Sequence, residues 1–421
     1  MGWNDETDTW RDVHGDSKPE RPGGVKSGSR EERSLVCSSP HDALLPLESS
    51  SPGDNAVSGD DEGVKEIRPA DSCEEDEEGH LIYRAGLVLK ERYEVVSTLG
   101  AGAFGKVVEC TDLEKNERVA VKIVRNIDCF RRAAESEIAV LEEINSLDDD
   151  NIFACVRMLD WFDHDGHICI VLELLGLSTF EFLRQNRFAP FSVEQIRHMA
   201  FQLFRAVCFL HRNKLTHTDL KPENILFVSS DCGPEDDGET RCEHKKLSSL
   251  DVKVVDFGTA TFDHEHHESL VSTRHYRAPE VILDLGWNQS CDVWSLGCVL
   301  MEFYLGRILF PTHDSLEHLA MMEKVLGPIP PRLLKQTRKQ HYVLNERLNW
   351  DQHSDSDVSI RKHCQPLKFM LRKDEDERQL LDLLGCMLEY DVCRRITLEE
   401  ALWHPFFNAA RSQQRQDKQR S

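Results

Sequence analysis

Four polar side chains in two short stretches have the types and spacing that phosphoryl transfer needs. The stretch His-Thr-Asp-Leu-Lys-Pro-Glu-Asn at 217–224 contains Asp219, Lys221 and Asn224. Asp219 could accept a hydroxyl proton, Lys221 could neutralise phosphate charge, and Asn224 could hold a magnesium ion. Asp256, in Asp-Phe-Gly at 256–258, offers a carboxylate for a magnesium ion that bridges two phosphates.

A lysine and a glutamate form a second candidate unit. Lys122 ends the predicted strand of Val-Ala-Val-Lys at 119–122, where it could hold the α and β phosphates of a nucleotide. A lysine at a strand end is usually a surface residue, so this role needs a carboxylate partner. Glu137 on the following predicted helix is favoured over Glu135, which lies two residues earlier and points to a different side of the helix. Glu137 also shares its side of the helix with more apolar residues.

A glycine-rich stretch, Gly-Ala-Gly-Ala-Phe-Gly at 100–105, lies between two predicted strands. Its pattern alone is weak evidence, and a dinucleotide-binding site would require a helix after it. A strand follows instead, which indicates a loop whose backbone lies over the phosphates of ATP. Gly100, Gly102 and Gly105 suit that role because a Cβ would block so close an approach.

The elements that must position these residues divide into a β-rich and an α-rich part. Alternating apolar residues predict strands, and wider apolar spacing predicts helices. The predicted strands span 93–99, 106–112, 118–124, 156–163 and 167–172; the clearest helices span 129–146, 193–211 and 292–304. We therefore predict an α+β fold with a small β-rich lobe followed by a large α-rich lobe.

Composition divides the 421-residue chain further. Residues 1–80 are rich in Ser, Gly, Pro and acidic residues, so we predict a disordered acidic tail. A folded domain follows at 81–407, with lobes at about 93–173 and 177–407, and a polar tail at 408–421. The polar insert 229–249 is predicted to be a surface loop.

The formal net charge of −24 favours basic proteins as partners and disfavours direct binding of nucleic acid. The sequence shows no signal peptide and no apolar run of the ~20 residues that a membrane span needs, so a soluble intracellular protein is expected.

Two clusters of cysteine and histidine residues are possible metal sites. Cys232, Cys242 and His244 share one polar loop, and His264, His266 and His267 share another. Neither spacing is a recognised zinc pattern, so solvated loops are the favoured interpretation. The 14 scattered cysteines are expected to be free thiols.

Three further residues are predicted to support the site. Glu280, in Ala-Pro-Glu at 278–280, should be buried and need a cationic partner, for which Arg395 is the candidate. Asp292 should brace the backbone of the 217–224 stretch.

Together these motifs resemble those of eukaryotic protein kinases over about 93–407. The stretch Glu-His-Leu-Ala-Met-Met-Glu at 317–323 resembles the signature of the LAMMER, or Cdc2-like (CLK), dual-specificity kinases. The stretches at 78–83, 174–180 and 272–277 support that resemblance. It implies a bilobal kinase fold that uses ATP and Mg²⁺. The implied nucleotide pocket adds Leu99, Val107, Ala120 and Leu226, with backbone groups of Glu173 and Leu175 meeting the adenine edge.

The resemblance also implies substrates and a location. The family phosphorylates Arg/Ser-rich splicing factors, autophosphorylates on Tyr as well as Ser/Thr, and works mainly in the nucleus. Glu223 and Glu302 match positions that grip a substrate arginine in related kinases, and a monomer is expected. The tail lacks the Arg-Ser dipeptides usual in the family, which leaves the cytoplasm open as a second location.

Three positions depart from the family pattern without removing a catalytic group. Ala101 replaces an acidic residue of the glycine-rich loop, and Thr259 replaces a serine. Leu172 stands where an aromatic residue is typical, which should open the back of the ATP pocket.

Two alternative functions were considered. A catalytically dead scaffold would be expected to lack Lys122, Asp219, Asn224 or Asp256, and all four are present. A small-molecule kinase generally lacks the Ala-Pro-Glu segment, which is also present.

Overall fold

The computed structural model describes residues 75–231, 247–351, 355–370 and 374–420. Residues 1–74 of the predicted disordered tail lie outside this range, as does most of the predicted insert loop, including Cys232, Cys242 and His244. None of the described helices is both long enough and apolar enough to cross a membrane.

The first lobe is built on a six-stranded antiparallel sheet with the order β1-β2-β3-β4-β6-β5. Every strand predicted for this lobe is present, and β6 is buried along most of its length because both faces of the sheet are covered. The strands are β1 (Val88–Leu89), β2 (Tyr93–Gly102), β3 (Gly105–Asp112), β4 (Glu117–Val124), β5 (Met158–His164) and β6 (His167–Glu173).

Helix α1 (Asp128–Leu147) packs against this sheet. Its apolar residues Ala134, Ile138 and Leu141 are buried, as their spacing predicts. They belong to a hydrophobic cluster that continues into the second lobe, while a smaller cluster around Tyr93 and Val108 lies within the first lobe. Helix α1 and one face of the sheet therefore share a core with the second lobe, and the other face of the sheet has a smaller core of its own.

The second lobe is mainly helical. Its long helices are α2 (Thr179–Gln185), α3 (Val193–Arg212), α5 (Ser290–Leu305), α6 (Ser315–Leu326), α8 (Asp355–His363), α9 (Glu375–Met387) and α11 (Asn408–Arg420). Shorter helices are α4 (Pro279–Ile282), α7 (Pro331–Gln336) and α10 (Leu398–Ala401). Short strands are β7 (Leu215–Thr216), β8 (Ile225–Phe227), β9 (Val252–Val254), β10 (Thr261–Phe262), β11 (Val343–Leu344) and β12 (Arg347–Leu348).

Helix α5 is the central support of this lobe. It is apolar on nearly all sides, and it is buried from Cys291 to Phe303. Asp292, in its first turn, accepts hydrogen bonds from the backbone N–H groups of His217 and Thr218, each at 2.9 Å. The predicted brace of the catalytic stretch is therefore confirmed.

A buried ion pair joins the Ala-Pro-Glu segment to the end of the lobe. Arg395 donates two hydrogen bonds to the two oxygens of Glu280, at 2.6 and 2.8 Å, and both side chains are almost fully buried. The predicted partner of Glu280 is thus confirmed, and this geometry is the bidentate one that stabilises buried pairs best.

Two segments differ from the sequence-based expectation. The predicted disordered tail includes residues 75–80, but Glu75 pairs with Leu81 in a β-bridge and this segment bonds to the first lobe. Its acidic run finds cationic and amide partners there, so composition alone misplaced the boundary. At the other end, the predicted polar tail contains helix α11.

Candidate active site

Strand β4, helix α1 and the loop after β9 bring three charged residues together. Lys122 Nζ lies 2.8 Å from both carboxylate oxygens of Glu137 and 3.1 Å from Asp256 Oδ1. Glu137 is buried, whereas Glu135 is exposed. The structure therefore selects Glu137 as the partner of Lys122, in agreement with the sequence prediction.

The charges of this trio depend on one another. Burial alone would lower the pKa of Lys122, but the carboxylates of Asp256 and Glu137 outweigh it and raise the pKa, so the lysine is charged. Burial raises the pKa of Glu137 against the opposing effect of Lys122. The same ammonium group lowers the pKa of Asp256 and keeps it ionised. Removing Lys122 would leave two carboxylates without their counterion.

The stretch 217–224 presents Asp219 on a loop held from several sides. Asp219 Oδ2 accepts a hydrogen bond from Lys221 Nζ at 2.7 Å. Asp219 Oδ1 accepts from both the backbone N–H and the hydroxyl of Thr273, at 2.8 and 2.7 Å. Asn224 Nδ2 donates to the carbonyl of Asp219 at 2.9 Å, which leaves the amide oxygen of Asn224 as a possible metal ligand.

These bonds keep the catalytic carboxylate ionised. Burial would raise the pKa of Asp219, but Lys221 and the two donors of Thr273 outweigh that effect and lower it. An ionised, oriented carboxylate can accept a proton from a hydroxyl group that approaches it.

The glycine-rich stretch forms the turn of the β2–β3 hairpin, where Gly102 pairs with Gly105. Gly105 has φ +156°, and a Cβ there would lie 2.1 Å from the carbonyl oxygen of Ile123. Glycine is therefore required at this position by the strand packing itself. A Cβ at Gly100 or Gly102 would meet no protein atom within 4 Å, so the space beside the backbone is open. An open backbone of this kind fits the phosphates of a nucleotide.

The other predicted nucleotide-binding residues lie around this turn and the connection between the lobes. Leu99 lies on β2, Val107 on β3, Ala120 on β4, Glu173 at the end of β6, Leu175 just after it, and Leu226 on β8. Leu172 pairs with Ala120 across β4 and β6 and with Met158 across β5 and β6. Its side chain is partly buried, so an aliphatic residue stands at the predicted back of the pocket.

The side chain of Glu173 is already used by the protein. Its Oε1 accepts from Lys253 Nζ at 2.6 Å and from the backbone N–H of Arg157 at 2.7 Å. Only its backbone can therefore serve an adenine ring, as the sequence analysis expected.

Glu302, near the end of α5, is buried beside Tyr276. The Tyr276 hydroxyl donates to Glu302 Oε2 at 2.7 Å. Burial raises the pKa of Glu302 to about 7, Tyr276 opposes this, and the charge of Glu223 adds to it. Glu223 is exposed to solvent as a residue, but the protein around its carboxylate displaces part of the water there and raises its pKa. The charge of Glu223 thus acts on Glu302, and both carboxylates also raise the pKa of Tyr276, so the two side chains lie in the same region around Tyr276.

Thr218, directly before the catalytic Asp219, joins the catalytic loop to the segment after Asp-Phe-Gly. It adopts φ +69°, which is unusual for a β-branched residue, and it is buried. Its hydroxyl donates to the carbonyl oxygen of Thr259 at 2.9 Å and lies 3.0 Å from the Thr259 hydroxyl. The contact between the catalytic loop and the segment after Asp-Phe-Gly is therefore made by the neutral hydroxyl groups of Thr218 and Thr259, and no phosphate group is required to form it.

We expect phosphatase treatment to leave substantial kinase activity. In kinases with arginine at the position of Thr218, that cation commonly pairs with a phosphate on the activation segment, and threonine offers no charge for such a pair. The measurement is the rate of peptide phosphorylation before and after dephosphorylation, with loss of phosphate verified by mass spectrometry. Loss of activity in the dephosphorylated protein would contradict this prediction.

Sequence reasoning missed two residues of the site. The Thr273 hydroxyl donates to Asp219 Oδ1 and accepts from Lys221 Nζ, so it holds both catalytic side chains in place. The Tyr276 hydroxyl donates to one carboxylate oxygen of Glu302. Both lie within the stretch 272–277, which supports the family resemblance but to which the sequence alone assigns no role in the site. A hydroxyl-bearing residue shortly before Ala-Pro-Glu was the available signal.

The donor set fits a divalent cation that also binds phosphate. Asp256 and Asn224 each offer one oxygen, and the Asp256 side chain is partly exposed. Mg²⁺ commonly binds one or two protein oxygens together with phosphates and waters. Across the described ranges, no group of three or more His, Cys, Asp or Glu side chains is placed to hold a metal alone. In the histidine run, His264 stacks on Phe262 and His267 packs against Trp287.

A two-lobed fold with this lysine–glutamate pair, glycine-rich hairpin and catalytic loop defines the class of protein kinases. The protein kinase domain model matches residues 93–407. The crystal structure of another kinase domain superposes with a TM-score of 0.70 at 34% identity, covering 79% of this chain and all of that one.

The chain belongs to the protein kinase family, and within it to the CLK-like dual-specificity kinases. It is 59% identical over 339 residues to mouse dual specificity protein kinase CLK4 and to human CLK1, covering 80% of this chain and 70% of each relative. It is 52% identical to the Drosophila melanogaster serine/threonine-protein kinase Doa, covering 80% of this chain and 41% of Doa. The chain is therefore an enzyme that uses ATP and a divalent metal ion, and the scaffold and small-molecule alternatives are set aside.

Proposed function

We propose that this kinase phosphorylates Arg/Ser-rich splicing factors, and thereby regulates RNA splicing in the nucleus. The observation that supports this is the carboxylate of Glu223, whose charge interacts with Asp219 on the catalytic loop and also acts on the carboxylate of Glu302. Arginine is the cation that such a pair binds best, because its planar guanidinium can bond two carboxylates at once.

The residues of the site are assigned these roles. Asp219 accepts the proton of the substrate hydroxyl and aims its oxygen, and Thr273 fixes the orientation of that carboxylate. Lys221, bonded to both, neutralises charge on the transferred phosphate. Lys122, fixed by Glu137, holds the α and β phosphates, while Asp256 and Asn224 hold Mg²⁺. ATP supplies the phosphoryl group, and the glycine-rich hairpin excludes water from it.

Substrate arginine would meet Glu302 on the side that Tyr276 leaves open. Tyr276 uses Oε2 of Glu302, so Oε1 remains for a guanidinium. Glu223 lies four positions after Asp219 and supplies the second acceptor. A cation here would relieve the repulsion between the two carboxylates. Because it would become partly buried, its ion pairs should contribute more binding free energy than an exposed ion pair does.

The remaining assignments follow from charge and from the family. The protein is proposed to act as a monomer on protein substrates, without direct contact to nucleic acid or membranes. Its net charge of −24 repels RNA phosphates and attracts Arg-rich peptides. Autophosphorylation on Tyr is proposed alongside Ser/Thr activity, with the cytoplasm as a second location.

We expect Arg–Ser peptides to be phosphorylated with a lower KM than neutral or Lys–Ser peptides. Glu223→Gln with Glu302→Gln should raise the KM for Arg–Ser peptides at least about tenfold, because charge-assisted hydrogen bonds contribute about 1.5–3 kcal/mol each. Glutamine keeps the shape and can still accept from Tyr276. The KM for ATP should not change.

Glu194→Gln, an exposed glutamate on α3, is the matched control and should leave all constants unchanged. If the double variant still prefers Arg–Ser peptides as strongly as the parent protein, the preference resides elsewhere. If no peptide class is preferred by the parent protein, the proposed substrate class is wrong.

The preference for arginine should also depend on pH. Glu302 has a pKa raised to about 7, so it is mostly protonated below pH 7 and ionised above it. The KM for an Arg–Ser peptide should therefore fall as the pH rises from about 6 to about 8. Asp219, whose pKa is lowered, stays ionised throughout this range. A KM that does not change with pH, or changes equally in Glu302→Gln, would contradict this assignment.

A further inference from the structure

The stretch Glu-Gly-His-Leu-Ile-Tyr at 78–83 has no role in the site described so far. It belongs to a lead-in segment, residues 75–83, that runs along the first lobe ahead of β1. Its contacts concentrate on Arg125 and Asn126, which directly follow the strand that carries Lys122. Its hydrogen bonds to these two residues indicate what the segment does.

The lead-in segment is tied to this corner by several hydrogen bonds. The carbonyl of Gly79 accepts from the backbone N–H of Asn126 at 2.9 Å, and Glu75 Oε1 accepts from Asn126 Nδ2 at 2.8 Å. Glu75 Oε1 also lies 3.4 Å from Nε2 of the fully buried His167. Further along, Lys106 Nζ donates to the carbonyl of Leu81, and the Tyr83 hydroxyl bonds to Thr98 on β2.

Arg125 connects this segment to the tip of the glycine-rich hairpin. Its Nε donates to the carbonyl of Glu78 at 2.7 Å, and its Nη1 donates to the carbonyl of Ala103 at 3.1 Å. Its backbone N–H donates to the carbonyl of Phe104 at 3.0 Å. Two adjacent peptide groups at the hairpin tip are therefore held by one residue, and its side chain is held in turn by the lead-in segment.

The same guanidinium reaches helix α1. It lies 5.1 Å from the ring centroid of Phe130 on α1, and Phe130 packs edge-on against Phe104 at 5.6 Å. The aromatic ring fixes the plane of the guanidinium, and the two carbonyl groups fix its orientation within that plane, so the side chain has little freedom to move. The Arg125 guanidinium therefore contacts the hairpin tip, α1 and the lead-in segment at the same time.

We propose that Arg125 is a positioning residue for ATP phosphates, and that the lead-in segment orients it. The carbonyl groups that Arg125 holds are those of Ala103 and Phe104, between Gly102 and Gly105 in the stretch that covers the phosphates. Fixing this tip lowers the cost of ordering it when a nucleotide binds. The segment acts on ATP binding without touching the nucleotide.

The test uses full-length variants and two ligands. Arg125→Ala should weaken binding of a non-hydrolysable MgATP analogue about tenfold, equivalent to about 1.4 kcal/mol, with no change in the Kd of adenosine. Adenosine lacks the phosphates that the hairpin tip covers, so the comparison separates tip positioning from general damage to the pocket. In steady-state assays the KM for ATP should rise by a similar factor while the KM for peptide stays constant. Calorimetric titration gives both Kd values.

Arg118→Ala is the matched control. Arg118 is a surface arginine on the same strand, and it bonds only to Glu109 and Thr111 among the contacts that the structure shows. It should bind both ligands like the parent protein. Equal losses in the two variants, or unchanged affinity for the ATP analogue in Arg125→Ala, would overturn the proposal.

The role of the lead-in segment is tested by Gly79→Pro. Gly79 has φ +78°, which proline cannot adopt, and its N–H donates to the carbonyl of Asp76. This variant should weaken binding of the ATP analogue as Arg125→Ala does, and the double variant should show no further loss. Asn126→Ala, which removes the bond to Glu75, provides a milder second variant. Additive losses would mean that the segment does not act through Arg125 and would overturn that part of the proposal.

Discussion

Asp219→Asn should lower kcat by at least about 100-fold, the usual scale for loss of a positioned general base. Asparagine cannot accept the substrate proton, and its NH₂ group would face Lys221 Nζ, which now donates to Asp219 Oδ2. The single amide oxygen of asparagine would take the place of Asp219 Oδ1 and could still accept from Thr273, so the loop should keep its conformation. Steady-state kinetics with a saturating peptide measures the effect.

Measurements of ATP affinity and of thermal stability show whether the Asp219→Asn variant is folded and still binds nucleotide. Nucleotide affinity and the midpoint of thermal unfolding should stay close to those of the parent protein. Asp263→Asn is the matched control and should retain full activity, because Asp263 lies outside the catalytic loop, between Asp256 and Glu280, where it accepts a hydrogen bond from Gln289. Peptide phosphorylation at the parental rate by Asp219→Asn would remove Asp219 from its assigned role.

Lys122→Met should lower kcat by about 100- to 1,000-fold, as expected when a preorganised electrostatic contact is removed. It should also destabilise the protein, since Glu137 would lie buried beside Asp256 without a counterion. Breaking one partner of a buried pair commonly costs about 3–5 kcal/mol. We therefore expect a lower unfolding temperature as well as lower activity.

Adding Glu137→Gln to Lys122→Met separates the two effects. The double variant should regain much of the lost thermal stability, because the uncompensated carboxylate is gone, yet it should remain inactive. Its loss of activity should be far below the sum of the single losses, since the pair acts as one unit. Glu135→Gln, on the exposed side of α1, is the control and should behave like the parent protein. Additive losses would show that the two residues act independently.

The sequence could predict most of the fold because its local patterns agree with the final packing. The strands of the first lobe appear within a few residues of their predicted bounds, and the apolar stripe of α1 is buried as expected. The lead-in segment was the exception. Its run of acidic residues is typical of solvated chain, and nothing local reveals that Asn126, Arg125 and His167 lie beside it in space.

The site was predictable for residues whose spacing is fixed by one stretch of chain. Asp219, Lys221 and Asn224 are such residues, and Glu137 could be chosen over Glu135 from helix geometry. Contacts between distant stretches were harder to foresee. Thr273 bonds to Asp219 across 54 positions and Arg125 to Glu78 across 47, so neither contact has a signature in either segment alone.

Leu172 bears on how selectively this enzyme could be inhibited. It lies opposite Ala120 at the predicted back of the nucleotide pocket, where the family resemblance implies an aromatic ring in relatives. A compound that competes with ATP and places a bulky group against Leu172 would occupy volume that such a ring fills. The same group would collide with the ring in those relatives, so discrimination would come from a clash in the unwanted targets rather than from tighter contacts in this one. A single aliphatic side chain could thus serve as the basis for a chemical probe that distinguishes this kinase from kinases with an aromatic ring at the same position.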